Sequence, residues 1–153
     1  MDSSEHAPVA DATGALGAAL AQVPFLANLG VSVEEARPGV ITLRLPAKEG
    51  NLNADGYLAG AALFAVGELA AVVACGTHPR LNEAEQSILS SRIRYFGTSS
   101  GAVTAHASLR TELVDAVRVQ LSGAGQARAE MSVKILDGYG NDIAEVAVTM
   151  GIS

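Results

Sequence analysis

The plainest pattern along the chain is a run with almost no polar positions, GYLAGAALFAVGELAAVVACG, residues 56–76. Its length and its alanine and leucine content predict a helix over about 57–76, ending near Gly76 because Pro79 cannot continue it. One carboxylate, Glu68, sits near its middle. Elsewhere the dominant period is two, the signature of half-buried strands. VSVEEARPGVITLRLP reads as two antiparallel strands about a Pro38-Gly39 turn, with Ile41, Leu43 and Leu45 alternating against Thr42 and Arg44. SILSSRIRYFG puts Leu89, Ser91, Ile93 and Tyr95 on one face and Ser90, Arg92, Arg94 and Phe96 on the other. In AVTAHASLRTEL, Val103, Ala105, Ala107 and Leu109 oppose Thr104, His106, Ser108 and Arg110. The last segment, ARAEMSVKILDGYGNDIAEVAVTMGI, is a hairpin about Gly138-Tyr139-Gly140. Ala129, Met131, Val133 and Ile135 line one arm; Ala144, Val146, Val148 and Met150 line the other.

Three shorter stretches complete the pattern. ATGALGAALAQ is a weak helix interrupted by Gly14 and Gly17. VPFLANLG is an apolar turn with Gly30 as its C-cap. LVDAVRVQLSGAG is ambiguous: Leu113, Val117 and Leu121 share a helical stripe while its valines favour a strand, and a short helix closed by Gly123 is preferred. Residues 1–10 read as a loose, flexible tail, leaving one domain over 11–153. Strands joined as hairpins make an antiparallel sheet. The fold class is therefore α+β: about five or six antiparallel strands curled round one long helix. A helix apolar on every side needs cover on the side away from its own sheet as well, and a second copy of the chain can supply it.

Composition narrows the function. The chain has 153 residues, 49% of them apolar and 17% charged, and a net charge of −6. That excludes a disordered chain and argues against a nucleic-acid binder, which needs a basic stripe. A membrane span over 57–75 is disfavoured by Glu68 at mid-span, which costs about 2.5–3.5 kcal/mol there, and by the lack of flanking lysines or arginines. The N-terminal residues lack the charge and apolar core of a signal peptide. The lone Cys75 lies inside the apolar run, as a core filler in a reducing compartment would. A soluble cytoplasmic protein is expected.

Familiar catalytic motifs are missing. His6, His78 and His106 are scattered without metal-ligand spacing, so no metal and no cofactor is implied. GAGQA lacks the lysine of a phosphate loop, and no Gly-x-Ser-x-Gly elbow occurs. What remains is a spacing: Asn53 in the polar loop NLNADG, Gly60 in the first turn of the long helix, and Glu68 two turns on. A glycine at a helix N-terminus leaves backbone N–H groups open to a carbonyl oxygen. A poorly solvated carboxylate suits a general base or nucleophile, because desolvation raises proton affinity. An asparagine can orient water or substrate. Gly60 and Glu68 are about 12 Å apart at 1.5 Å per residue, too far to touch one reacting carbonyl. If both act in one reaction, Gly60 of one copy faces Glu68 of another. The alternative for Glu68 is structural, reaching interface water or pairing with Arg92 or Arg94. For Gly60 it is close packing, and for Asn53 a turn.

NADGYLAGAALFAVGELA resembles the helix signature N-x-x-G-x-x-H-G-G-x-x-x-x-L-x-[DE] of hotdog-fold acyl-CoA thioesterases, nearest the phenylacetyl-CoA and hydroxybenzoyl-CoA branch. Asn53, Gly56, Gly60 and Glu68 carry the match, and the order of elements agrees over about residues 22–152. The resemblance implies two chains joining their sheets edge to edge as a homodimer or a homotetramer, with acyl-CoA at the interface. It implies Glu68 as base or nucleophile, the Gly60 N–H as oxyanion donor, and Asn53 as the orienting residue. Ala59 and Ala61 replace a histidine and a glycine of that signature. Val72 stands where some members carry a hydroxyl. Ser90 stands where a strand acid is frequent, with Ser87 and Ser91 as nearby substitutes. Two functions fit: acyl-CoA thioester hydrolysis, or non-catalytic binding of an acyl ligand on the same scaffold. A hotdog dehydratase would need a histidine, and Ala59 removes the best position for it.

Overall fold

A computed structural model describes residues 12–153; the expected tail, with His6 in it, lies outside the described residues. Four helices and six strands follow in the order α1 (Ala12–Ala21), α2 (Pro24–Leu29), β1 (Ser32–Arg37), β2 (Val40–Leu45), α3 (Gly60–Thr77), β3 (Gln86–Tyr95), β4 (Val103–Ser108), α4 (Thr111–Ala124), β5 (Ala127–Asp137) and β6 (Asp142–Ile152). The strands form one sheet in the order β1-β2-β4-β5-β6-β3. Every neighbouring pair is antiparallel. The sheet wraps α3, which packs across β2, β4, β5 and β6. This is the expected α+β architecture with six strands.

The period-two positions line the inner face in continuous rows. Leu43 pairs with Ala105, Ala105 with Ile135, Ile135 with Ala144 and Ala144 with Tyr95. The next rows toward the C-terminal end of α3 carry Val133, Val146 and Ile93, then Met131, Val148 and Ser91. All of these are buried except the three β3 residues, because β3 is an edge strand. Small residues on α3 let the sheet close in. A Cβ added to Gly67 would lie 2.9 Å from Val146 Cβ and 3.3 Å from Ile135 Cδ1, so only glycine fits there. Cys75 is fully buried beside Met131, its Sγ 3.3 Å from the Met131 sulfur, and burial pushes its thiol pKa up to about 11. That is a core filler, as the apolar run suggests.

Three local expectations need correction. The long helix begins at Gly60 and not at 57, because Leu58 pairs with Leu52 in a bridge and Ala59 is extended. Leu58 N–H donates to the Ser99 carbonyl and Ala59 N–H to the Asn51 carbonyl. The ambiguous segment is a helix, as preferred, but it runs to Ala124 and is closed by Gly125 at φ 73°, not by Gly123. Val114 and Val117 are its buried positions, so packing against the sheet outweighs the strand preference of valine. In β3 the register shifts between Ile88 and Ser90, a bulge that breaks strict alternation. Leu89 therefore turns away from the Ser91 face and lies against Gly151, while Ile88 faces α3.

The tight Gly67 contact has a measurable consequence. Overpacking a dense core costs about 1–3 kcal/mol, so Gly67→Ala is expected to lower the thermal midpoint by several degrees. A midpoint equal to the parent's in a thermal melt would mean that the sheet stands further from α3 than described.

Candidate active site

Along α3, one stripe of residues faces away from the middle of the sheet: Ala61, Phe64, Ala65, Glu68, Leu69 and Val72. Their spacing of three and four keeps them on one helical face. With Phe25 and Leu26 from α2 and Ile88 from β3 they line an open groove of about 550 Å³. Glu68 is the one charged group among these nine residues. An ionised carboxylate in such surroundings needs a compensating partner, and the Ser91 hydroxyl is that partner, donating to Glu68 Oε2 at 2.7 Å. Glu68 forms no salt bridge among the described residues. The arginines considered for it are engaged elsewhere: Arg92 pairs with Glu130 at 3.3 Å, and Arg94 stacks over the Phe96 ring at 5.2 Å.

Strand β3 thus runs beside α3 with matched spacing. Ser91 meets Glu68, and four residues on, Tyr95 meets Gly60. Four strand residues span about 13 Å and eight helical residues about 12 Å, so both contacts are made together. A Cβ on Gly60 would lie 2.8 Å from the Tyr95 hydroxyl oxygen and 3.1 Å from Cζ. The amide hydrogens of Gly60 and Ala61 find no acceptor among the described residues, as expected for the first turn of a helix without a side-chain cap.

Asn53 and its neighbour Asn51 divide two duties. Asn53 is exposed, and its Oδ1 accepts from the N–H groups of Asp55 (3.0 Å) and Tyr57 (3.1 Å), holding the loop ahead of α3. Asn51, which the sequence reading passed over, is only 3% exposed. Its Nδ2 donates to the carbonyls of Leu29 (2.8 Å) and Pro46 (2.9 Å), tying the end of α2 to the end of β2. Its backbone carbonyl also accepts from Ala59, the residue before the α3 N-terminus. Both asparagines stand in one polar loop, and nothing in their spacing separates a buried strut from an exposed turn residue.

The three carried-over residues are not brought together within one chain. Asn53 and Gly60 share the N-terminal end of α3, while Glu68 stands two turns along it. Of the strand serines, it is Ser91 that reaches Glu68; Ser90 pairs with Thr149 in the β3–β6 register and points to the opposite face. The two described histidines have local partners. His78 Nδ1 accepts from Arg80 N–H at 3.1 Å, and burial together with the nearby Arg80 charge holds its pKa below the ordinary value. His106 sits between the hydroxyls of Thr42 (3.3 Å) and Thr104 (2.7 Å). Among the described residues, no three His, Cys, Asp or Glu side chains gather as a metal site would require.

An antiparallel sheet curled round one long central helix is the hotdog architecture. The chain belongs to the DUF4442 family, a domain of unknown function, whose sequence profile matches residues 15–152. Solved structures share the fold. A Pseudomonas aeruginosa protein, described as of unknown function and a "Probable Thioesterase", superposes with a TM-score of 0.84 at 22% identity, covering 92% of this chain and 94% of its own. A mutant of the phenylacetic acid degradation protein PaaI from Thermus thermophilus gives 0.63 at 21% identity, covering 84% and 97%. A mutant thioesterase enzyme from Staphylococcus aureus gives 0.66 at 18% identity, covering 86% and 99%. No curated protein matches the sequence.

Asn51 provides a test of how the loop is held. Removing a buried amide strands two carbonyls and costs about 1–3 kcal/mol, so Asn51→Ala is expected to lower the thermal midpoint clearly. Asn53→Ala, at an exposed turn, is expected to move it much less. Equal shifts in the two melts would show that the Asn51 contacts are not the ones that hold this end of the fold.

Proposed function

We propose that this chain hydrolyses an acyl-CoA thioester at a site shared by two copies. The observation that carries the reading is Glu68: a half-buried carboxylate without an ion-pair partner among the described residues, bonded to Ser91, in an otherwise apolar groove. A purely structural acid would be a costly choice for that position. In this mechanism Glu68 takes a proton from water as the water oxygen attacks the thioester carbon. The electron pair displaced onto the carbonyl oxygen is stabilised by the Gly60 N–H of the other copy, and collapse expels the CoA thiolate. Direct attack by Glu68, giving a mixed anhydride that water then opens, uses the same groups. Asn53 keeps its Oδ1 in the loop and has Nδ2 to orient water or the acyl group.

A second copy is part of the proposal for two reasons. Gly60 and Glu68 of one chain stand about 12 Å apart, and the apolar stripe on α3 is open in the single chain. Strand β3, ten residues long, is a free sheet edge beside that stripe, and unpaired edges are sites of strand addition. Pairing two copies there would continue the sheet and cover the groove. The cytoplasm, where acyl-CoA is met, is the proposed location, and the proposed chemistry calls on no cofactor. Among the described residues, the one helix long and apolar enough to cross a membrane is α3 itself, and half of its residues are buried within the fold.

Two experiments test the reading. Light scattering at micromolar concentration should give at least twice the chain mass of 15.5 kDa, and a monomer would remove the shared site. Glu68→Gln keeps the size and the Ser91 contact but not the charge, so the protein should fold. Its hydrolysis of acyl-CoA, followed by thiol release, should fall about 10²–10⁴-fold. Parent-like turnover by Glu68→Gln would refute the assignment. If neither protein turns over any acyl-CoA but both bind it, the chain is an acyl-ligand-binding domain instead.

A further inference from the structure

The geometry points to the Tyr95 hydroxyl as a second hydrogen-bond donor to the thioester carbonyl, beside the Gly60 N–H; this rests on the site reading above and adds a residue to it. The ring and the hydroxyl of Tyr95 pose separate questions. The ring lies on Gly60, where a Cβ would meet Cζ at 3.1 Å and Cε1 at 3.3 Å, so it explains why position 60 lacks a side chain. A phenylalanine would pack there equally well. The hydroxyl needs its own reason, and it forms no hydrogen bond to any of the described residues.

Distances make a shared acceptor feasible. A Cβ stands about 2.5 Å from its own amide nitrogen by standard bond lengths and angles. Because the Tyr95 oxygen is 2.8 Å from the Gly60 Cβ position, it lies within about 5.3 Å of the Gly60 nitrogen. Two donors, each 2.7–3.1 Å from one oxyanion, can be separated by up to about 5.4–6.2 Å. One carbonyl oxygen can therefore accept from both. Tyr95 is 52% exposed, so a ligand can reach its hydroxyl. The β3 register fixes its place, since Tyr95 pairs with Ala144 on the inner face, four residues from the Ser91 that holds Glu68.

Catalytically, this donor matters when negative charge develops on the carbonyl oxygen. Neither the phenol nor the backbone N–H gives up its proton; both strengthen their hydrogen bonds as the carbon–oxygen double bond becomes single. A hydroxyl on a half-exposed ring is also suited to select ligands with a carbonyl at that point over ligands without one.

Tyr95→Phe isolates the hydroxyl while keeping the ring on Gly60. Loss of an oxyanion donor in a closed site costs about 10²–10³ in kcat, and for this open one a fall of about 10- to 100-fold is expected, with KM rising no more than ketone binding weakens. Binding gives a second readout that needs no turnover. An acyl-CoA analogue with a methylene in place of sulfur keeps the carbonyl, and an S-alkyl CoA thioether lacks it. Tyr95→Phe should weaken the ketone about 3- to 10-fold, the worth of one net hydrogen bond, and leave the thioether unchanged. Parent-like kcat together with parent-like ketone affinity would overturn the Tyr95 role, while an inactive Glu68→Gln would still support the site. Equal weakening of both analogues would also overturn it, marking the hydroxyl as a shape contact. A parent that binds neither analogue removes the acyl-CoA site, and the Tyr95 role with it.

Discussion

A helix without a polar face can be stable in water only if it is covered, and the rest of this molecule follows from covering α3. Nine of its eighteen residues are buried. Apolar burial stabilises by about 1.5–3 kcal/mol for each large aliphatic side chain, yet α3 offers mostly alanine and glycine on its inner side. Its contribution comes from letting large residues of the strands approach. Val146 and Ile135 close on Gly67, and Met131 reaches Cys75. Small residues on the helix and branched ones on the sheet make one interlocked core, and the sheet curls because its rows must stay in contact with a cylinder.

The same constraint leaves one side of α3 open, and the proposed chemistry is placed there. Five strands wrap the helix from β2 round to β3, but the stripe from Ala61 to Val72 faces a groove. Glu68 lies in that stripe, so its carboxylate escapes the dry core without being freely solvated. Strand β3 runs along the rim at a rise per residue about twice that of the helix. That ratio lets Ser91 and Tyr95, four apart, address Glu68 and Gly60, eight apart. The two ends of the site are thus held in one frame by backbone geometry, and they stay separate within a chain for the same reason.

Some of the loop and strand detail was beyond pattern reading, for definite physical causes. Asn51 and Asn53 are alike in the sequence, and only the fold brings the carbonyls of Leu29 and Pro46 to Asn51. Ser90 held the place where a strand acid is frequent, with Ser87 and Ser91 as nearby substitutes; the hydrogen bond to Glu68 singles out Ser91, and the bulge at Ile88–Ser90 parts Ser87 from its face. A single extra residue in an antiparallel pair reverses which side chains point inward, and no local composition marks where it falls. The α4 helix was ambiguous because valine's strand preference is weak against burial of Val114 and Val117 on the sheet.

By itself the sequence determined the kinds of element and most of their faces, since periods of two and the unbroken apolar run express which surfaces must leave water. It also determined that one acid stands in an apolar helix eight residues after a glycine, and hence that the two cannot serve one carbonyl within a chain. Tertiary structure decided which strand lies at the edge, that Ser91 and no arginine answers Glu68, and that Tyr95 closes over Gly60. Those contacts join residues 23 and 35 positions apart. They depend on strand order, register and a bulge, and these are settled only when the whole sheet closes around its helix.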